Sequence, residues 1–146
     1  MTLKIIGGRG SGNLFYIPTI VRAQNINQNN FFNIRFYVDT GASITSISDT
    51  DALKNRINYL LCNINPYSTK IAGGGYLRTR IVQNPEIGFL TEENKFYSHR
   101  LERIEIMDRG NPFDAVTNPA MSLLGIDFLQ NFTISFKNNF VFLEKL

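Results

Sequence analysis

One tripeptide in this sequence has residue types and spacing that could carry out chemistry, and it is Asp39-Thr40-Gly41. A strand-like apolar stretch delivers the carboxylate to its end, and the glycine two positions later permits a tight turn. The Thr40 hydroxyl can hydrogen-bond to backbone across an interface, and Ala42 is small enough to leave room for a substrate. A carboxylate held in this way could transfer protons as a general acid or base. A plain turn aspartate remains the alternative, because Asp-Xaa-Gly is common at strand ends.

Other catalytic chemistries lack the residues that they need. The single histidine, His99, excludes a zinc centre built from several histidines, and we expect it on the surface. A Ser-His-Asp triad is disfavoured because no Gly-Xaa-Ser-Xaa-Gly motif is present. The single cysteine, Cys62, excludes a disulfide framework. We therefore expect no metal and no cofactor.

Composition predicts one mostly β domain covering residues 1–146. Of its 146 residues, 12 are Phe and 6 are Tyr, and both types favour strands. The net charge of +3 is mild and the basic residues are scattered, so nucleic acid is not an expected partner. Only Arg100, Arg103 and Arg109 group loosely, and we expect them on a solvated face. No apolar run reaches the roughly 18 residues that span a membrane, and no secretory signal is evident, so we expect a cytoplasmic location without membrane contact.

Strand-like segments separated by turn residues must position the carboxylate. The predicted strands are Leu3 to Ile6, Leu14 to Val21, Phe31 to Val38, Ser68 to Ala72, Tyr76 to Val82, Ile87 to Leu90, Phe96 to Met107, Phe132 to Phe136 and Phe140 to Leu143. Pro18 predicts that the second strand lies at an edge or a bulge. Asp49 can cap a helix that continues to Leu61. The stretch from Asp108 to Ala120 is predicted to be a loop, and a short helix begins near Gly125.

Three segments of the chain form a recognisable set. They are Val38-Asp-Thr-Gly-Ala-Ser43, the glycine-rich hairpin Ile71-Ala-Gly-Gly-Gly-Tyr76, and Leu123-Leu-Gly-Ile-Asp-Phe-Leu129. Together they resemble the retropepsin-like (retroviral-type) aspartic proteases. Their order and separations suit that family, and the matched span covers most of the chain. The resemblance implies an acid-protease fold, a mostly β closed barrel with one or two short helices. The two-lobed pepsins match less well, because Asp108-Arg-Gly110 lacks the Thr or Ser of a second catalytic motif.

The resemblance also implies a role for each matched residue. Asp39 would be the catalytic aspartate. The active-site turn and dimer contact would be formed by Thr40, Gly41 and Ala42. The flap that closes over a polypeptide substrate would comprise Ile71, Gly73, Gly74, Gly75 and Tyr76. Structural support beneath the turn would come from Leu124, Gly125 and Asp127.

The chemistry requires a homodimer. Peptide hydrolysis by carboxylates alone uses a pair that shares one proton, and one chain supplies only Asp39. A two-fold axis would place the two copies of Asp39 side by side. The strands Leu3 to Ile6 and Phe140 to Leu143 are the predicted interface, because short apolar strands need partners. Extended peptides with bulky apolar residues at the cut, and mildly acidic pH, should be preferred.

Two other functions stay open at this point. The chain could be a non-catalytic dimeric β module that uses the same fold to bind peptides or to assemble. It could also be a nucleic-acid-associated protein, which the net charge allows without supporting.

Overall fold

β structure dominates the computed structural model, which describes residues 3–10, 12–24, 26, 31–67, 69–70 and 76–146. Its strands are β1 (Lys4–Arg9), β2 (Phe15–Arg22), β3 (Phe32–Val38), β4 (Ser46–Ile47), β5 (Asn63–Ile64), β6 (Thr69–Lys70), β7 (Tyr76–Leu77), β8 (Thr79–Gln83), β9 (Glu86–Leu90), β10 (Phe96–Arg100), β11 (Arg103–Met107), β12 (Ser122–Leu124), β13 (Phe132–Lys137) and β14 (Phe140–Lys145). Its helices are α1 (Asp49–Lys54), α2 (Pro112–Thr117), α3 (Ile126–Leu129) and a 3₁₀ turn, Tyr59–Leu61. No helix in those ranges has the length and apolar character to cross a bilayer. The predicted mostly β class with few short helices is confirmed.

Twelve strands form one open sheet. Ten of them follow the order β13-β14-β1-β2-β3-β12-β4-β11-β8-β5, while β9 pairs with β2 and carries β10. The remaining two, β6 and β7, pair with each other as a separate hairpin. In the described part of the chain the ladder ends at β13 and β5, so the predicted closed barrel is wrong. The C-terminal hairpin extends one end of the sheet outward, and the two-residue β5 ends the other.

The first and last strands pair with each other inside one chain. Lys4 lies opposite Glu144 and Gly8 lies opposite Phe140 in an antiparallel ladder. The other side of β14 pairs with β13, which confirms the predicted hairpin across residues 137–139. The premise that these strands need a partner chain is therefore wrong, because each already has its ladder of hydrogen bonds.

Pro18 lies inside the sheet, which corrects its predicted edge or bulge position. One side of β2 pairs with β3, with Pro18 opposite Arg35. The other side is shared, with β1 opposite Phe15 and Tyr16 and β9 opposite the stretch that starts at Ile20. Pro18 falls between these two ladders, where a missing N–H costs no hydrogen bond.

The helix after Asp39 is shorter than predicted and starts with a different cap. Ser48 is the N-cap, because its side chain accepts the Asp51 N–H at 3.0 Å. The helix ends at Lys54, and Arg56 turns the chain away with a φ of 56°. The predicted continuation to residue 61 is wrong because this left-handed residue interrupts it.

Two further boundaries differ from prediction. The long strand predicted from Phe96 is two strands, β10 and β11, because the chain turns at Leu101 and bonds to the Pro85 carbonyl. The predicted loop after Asp108 contains α2, whose cap is the Asn111 side chain. Proline at the first position of α2 needs no donor, so it starts a helix there at no cost.

The core anchors the strand that leads to the candidate site. Along β3, Phe32, Ile34 and Phe36 are buried while the residues between them are exposed. Burying each such side chain stabilises the fold by roughly 1.5–3 kcal/mol. Phe128 of α3 packs in the same core, 5.1 Å from Phe89 between ring centroids. Strand β3 therefore cannot shift its register without exposing three large apolar side chains.

Candidate active site

Asp39 is the first residue after β3, and the neighbouring strand fixes its backbone. Strand β12 runs parallel to β3 and places Leu124 opposite Val38. The Asp39 N–H donates to the Leu124 carbonyl at 3.1 Å. Leu124 itself is fully buried, so the backbone that holds Asp39 is shielded from water.

The turn after Asp39 orients its carboxylate. The Gly41 N–H donates to Asp39 Oδ1 at 2.9 Å, and the Ala42 N–H donates to the Asp39 carbonyl at 3.2 Å. Asp39 is half-buried, whereas Thr40 and Gly41 are exposed. One carboxylate oxygen is thus held by the backbone in a position that water and a second molecule can reach, which suits proton transfer.

Gly125 allows α3 to approach the turn closely. A Cβ at this position would lie 2.7 Å from the Ile44 carbonyl carbon and 2.9 Å from the Ala42 oxygen, so only glycine fits. At the next residue, the Ile126 N–H donates to the Ala42 carbonyl at 2.8 Å. The start of α3 therefore supports the turn through backbone contacts.

Thr45 and Asp127 join the two segments through side chains. The Asp127 carboxylate accepts the Thr45 hydroxyl at 2.7 Å and the Thr45 N–H at 3.0 Å. The same hydroxyl accepts the Gly125 N–H at 3.0 Å. Sequence reasoning missed Thr45, because nothing in the local pattern marks it as the partner of a residue 82 positions later.

Most of the predicted flap lies outside the residues that the structure describes. Ile71, Gly73, Gly74 and Gly75 are among these undescribed residues. The strands on either side of them, β6 and β7, pair antiparallel. Tyr76 belongs to β7, where it lies opposite Lys70. The paired strands agree with the predicted hairpin, and the flap itself stays a prediction.

Asp108, rejected above as a catalytic aspartate, is a buried carboxylate that pairs with two arginines. Its Oδ2 lies 3.0 Å from Arg80 Nε and 3.2 Å from Arg78 Nε, and its Oδ1 accepts the Gly110 N–H. Burial acts to raise the pKa of Asp108, but these hydrogen bonds and the two guanidinium charges outweigh it and hold the pKa below its ordinary value. This carboxylate is therefore charged and engaged rather than available for catalysis.

Two residues expected on the surface are engaged with other groups instead. Arg109 donates from Nε and NH2 to both oxygens of the buried Asp49, at 2.7 and 2.8 Å. His99 is half-buried, and its ring lies edge-on to Phe128 at 5.2 Å. Both sites form through contacts between distant parts of the chain, which the local sequence does not reveal. No cluster of three or more His, Cys, Asp or Glu that could hold a metal occurs within the described ranges.

Comparison with known proteins identifies the fold. No protein-family model matches the chain, and no curated protein matches it in sequence. Among solved structures, it is similar to a retropepsin-like aspartic protease from Rickettsia conorii, with 19% identity, a TM-score of 0.58, and coverage of 99% of this chain and 92% of that one. A second match is the retroviral protease-like domain of Ddi1 from Leishmania major, with 13% identity, a TM-score of 0.42, and coverage of 84% and 79%. The first match, together with the strand order and the Asp39 turn, shows that this chain has the fold of a retropepsin-like aspartic protease.

Proposed function

We propose that the chain is an aspartic endopeptidase that hydrolyses polypeptides as a homodimer. The observation that carries this proposal is the Asp39 carboxylate, half-buried and oriented by Gly41 on a turn that backbone hydrogen bonds join to β12 and α3. The fold shared with the Rickettsia conorii protease supports it. The domain that performs the reaction would be the whole chain, residues 1–146.

Two copies of Asp39 would share one proton across a two-fold axis. The ionised carboxylate takes a proton from water, and the resulting hydroxide attacks the carbonyl carbon of the scissile peptide. The protonated carboxylate donates to the carbonyl oxygen, which gives a tetrahedral diol. As the C–N bond breaks, the nitrogen takes the proton that the first carboxylate accepted from water, and one diol hydroxyl returns its proton to the other carboxylate. The Gly41 N–H would hold one oxygen of each carboxylate, which leaves the other to carry the proton.

A second copy of the chain could meet this one at two surfaces. Thr40 and Gly41 are exposed beside Asp39, where the partner's turn would lie. The outer edge of β13 is the other surface. In the sheet register Tyr37 lies opposite Tyr16, Tyr16 opposite Gly8, Gly8 opposite Phe140 and Phe140 opposite Lys137. The tip of the C-terminal hairpin therefore lies at the same end of the sheet as Asp39.

Replacing Asp39 with Asn tests the proposal. An amide can neither share the proton nor act as a base, so we expect cleavage of an apolar peptide library to fall by at least about 10²–10⁴-fold. The fold and the oligomeric state, followed by circular dichroism and light scattering, should not change. Glu93→Gln removes an exposed carboxylate and serves as the control that keeps full activity.

Three outcomes of this test differ in meaning. Loss of activity in Asp39→Asn alone supports the proposal. An Asp39→Asn protein that cleaves at the wild-type rate contradicts it. A wild-type dimer that binds peptides without cutting any of them would favour the alternative, a non-catalytic peptide-binding module.

A further inference from the structure

Glu105 is a buried carboxylate that the proposed reaction does not use. It lies in the middle of β11 with only 2% of its surface exposed. Its Oε1 accepts the Thr79 hydroxyl at 2.6 Å and the Asn65 amide at 2.7 Å. Burial of a carboxylate is expensive, so its position requires an explanation.

Asn65 and Thr79, which both donate to Glu105, lie at the two ends of the β6–β7 hairpin. Asn65 precedes β6, and its side-chain oxygen accepts the Tyr67 N–H at 3.1 Å. Thr79 follows β7, and its carbonyl accepts the Asn65 N–H at 2.9 Å. One carboxylate therefore fastens both arms of the hairpin at its root.

The backbone of Glu105 is bonded to the segment that follows the Asp39 turn. Strand β11 runs parallel to β4 and places Glu105 opposite Ser46. The Glu105 N–H donates to the Thr45 carbonyl at 3.2 Å. Thr45 is the residue whose hydroxyl bonds to both Asp127 and Gly125 beneath the active-site turn. A continuous path of hydrogen bonds thus runs from the hairpin root through Glu105 and Thr45 to the segment that supports Asp39.

We propose that Glu105 is a positioning residue that holds the hairpin root at a fixed place relative to the Asp39 turn. This inference rests on the proposed function, since it assigns the hairpin to substrate binding over Asp39. The side chain of Glu105 accepts hydrogen bonds from the hairpin root, and its N–H donates to Thr45, which supports the turn. A change at either end of the path should consequently be felt at the other, because coupling between two sites is reciprocal.

Amide hydrogen exchange of full-length Glu105→Leu tests the first half of the path. Leucine removes the acceptor and fills the buried position with an apolar side chain. We expect exchange in β6 and β7 to become about tenfold to a hundredfold faster, as for loss of a hydrogen bond to a charged group. Glu105→Gln keeps an acceptor oxygen and should restore most of the protection. If Glu105→Leu does not fold, Thr79→Val serves as the second variant. It removes one donor to Glu105, so exchange in β6 and β7 should again become faster.

Asp49→Asn is the matched control. Asp49 is also 2% exposed and also hydrogen-bonded, but its partner is Arg109 rather than the hairpin. It should lower the melting temperature while exchange in the hairpin stays at the wild-type rate. Equal acceleration in Asp49→Asn and Glu105→Leu would overturn the proposal, because it would show a general loss of stability.

Thr45→Val tests the second half from the opposite end. Loss of this hydroxyl should accelerate exchange at Gly125 directly and, through the path, in β6 and β7. Unchanged hairpin exchange would overturn the coupling. The KM for peptide cleavage should rise about tenfold in Glu105→Leu with a smaller change in kcat, because a loosened hairpin weakens substrate binding. Exchange does not depend on cleavage, so normal coupling with an active Asp39→Asn would overturn only the proposed function.

Discussion

The Thr45 hydroxyl supports the turn that carries the Asp39 carboxylate through its bonds to two other residues. It donates to Asp127 and accepts from Gly125, and these bonds hold α3 against the turn that carries Asp39. In the sequence, the Asp-Thr-Gly tripeptide marked Asp39 as a candidate only together with the two other segments that resemble the retropepsin-like proteases. The Thr45–Asp127 bond was not predictable, since only the folded chain brings these two residues together.

His99 should make the stability of the fold depend on pH. Burial, and then the Lys145 charge, lower the pKa of His99 below its ordinary value of 6.5, against an opposite effect of Asp127. The unfolded chain therefore takes up a proton more readily than the folded one. The stabilisation is fully present above about pH 6.5 and is lost as the pH falls through the lowered pKa.

Urea unfolding at pH 7.5 and pH 5.5 checks this prediction. The urea concentration at the wild-type unfolding midpoint should be lower at pH 5.5 than at pH 7.5. This decrease should be smaller in His99→Gln, which has no titrating ring. The comparison with His99→Gln cancels the contribution of every group that the two proteins share. An identical fall in both proteins would show that His99 is not the group responsible.

Elements with strong local patterns were predictable, and short capped ones were not. The alternation of apolar residues located β3 and the C-terminal hairpin to within a residue or two. At α1, Ser48 and Asp49 are both good caps, and only the contact between Ser48 and the Asp51 N–H shows which one acts. Helix α2 is six residues long with Phe113 and Val116 exposed, so no buried stripe marks it in the sequence.

Arg109 should help to hold the C-terminal end of α2 against α1, beside the hydrogen bond from the Thr50 hydroxyl to the Ala115 carbonyl. Its guanidinium donates to both oxygens of Asp49 in α1 and to the carbonyl of Asn118, the C-cap residue of α2. Arg109→Met leaves the Asp49 charge buried without this cation, so the free energy of unfolding should fall by about 3–5 kcal/mol. Chemical denaturation measures the loss.

Two companion variants give this prediction its control. Arg100→Met removes an exposed arginine that pairs with Glu86 on the surface, and it should cost less than about 1 kcal/mol. The double variant Asp49→Asn with Arg109→Met should be more stable than Arg109→Met alone, because no charge is left buried. Equal losses in Arg100→Met and Arg109→Met would contradict the assigned role.

At the scale of the whole molecule, the sequence predicted the mostly β class but not how the sheet ends. The alternation of apolar residues identifies strands one at a time. It does not specify which strand pairs with which when they lie far apart in the chain. Strand β1 pairs with β14, so the termini do not need the partner that was predicted for them. The sheet ends at β13 and β5 instead of closing into the predicted barrel.

The free edge of β13 should take part in the proposed dimer. Within the described residues β13 pairs only with β14, it contains no proline, and its one charged residue is the terminal Lys137. Natural edge strands usually carry charges or bulges that prevent pairing, so this edge is unusually open. A two-fold axis would bring the strand against itself.

Ser135→Lys tests the edge without touching the core. The residue is exposed, and two-fold symmetry places two new charges in one interface, so the dimer dissociation constant should rise about tenfold. Ser98→Lys makes the same change on the exposed edge strand β10 and should leave association as it is. Analytical ultracentrifugation over a concentration series gives both constants. Unchanged association in Ser135→Lys would move the interface to another surface.

The pairing of β1 with β14 also affects the order in which the molecule can form during synthesis. The ribosome makes β1 before its main partner β14, and strands β2 to β13 lie between the two in the sequence. Contacts between such distant segments are slow to form, because a long loop must close before they return any stability. Until then β1 can pair with β2 at Gly8 and Arg9 and with Thr91 at Ile5, while its edge toward β14 stays unpaired. The nascent chain therefore exposes an unpaired strand edge until β14 has been made, which makes this stage of synthesis prone to aggregation.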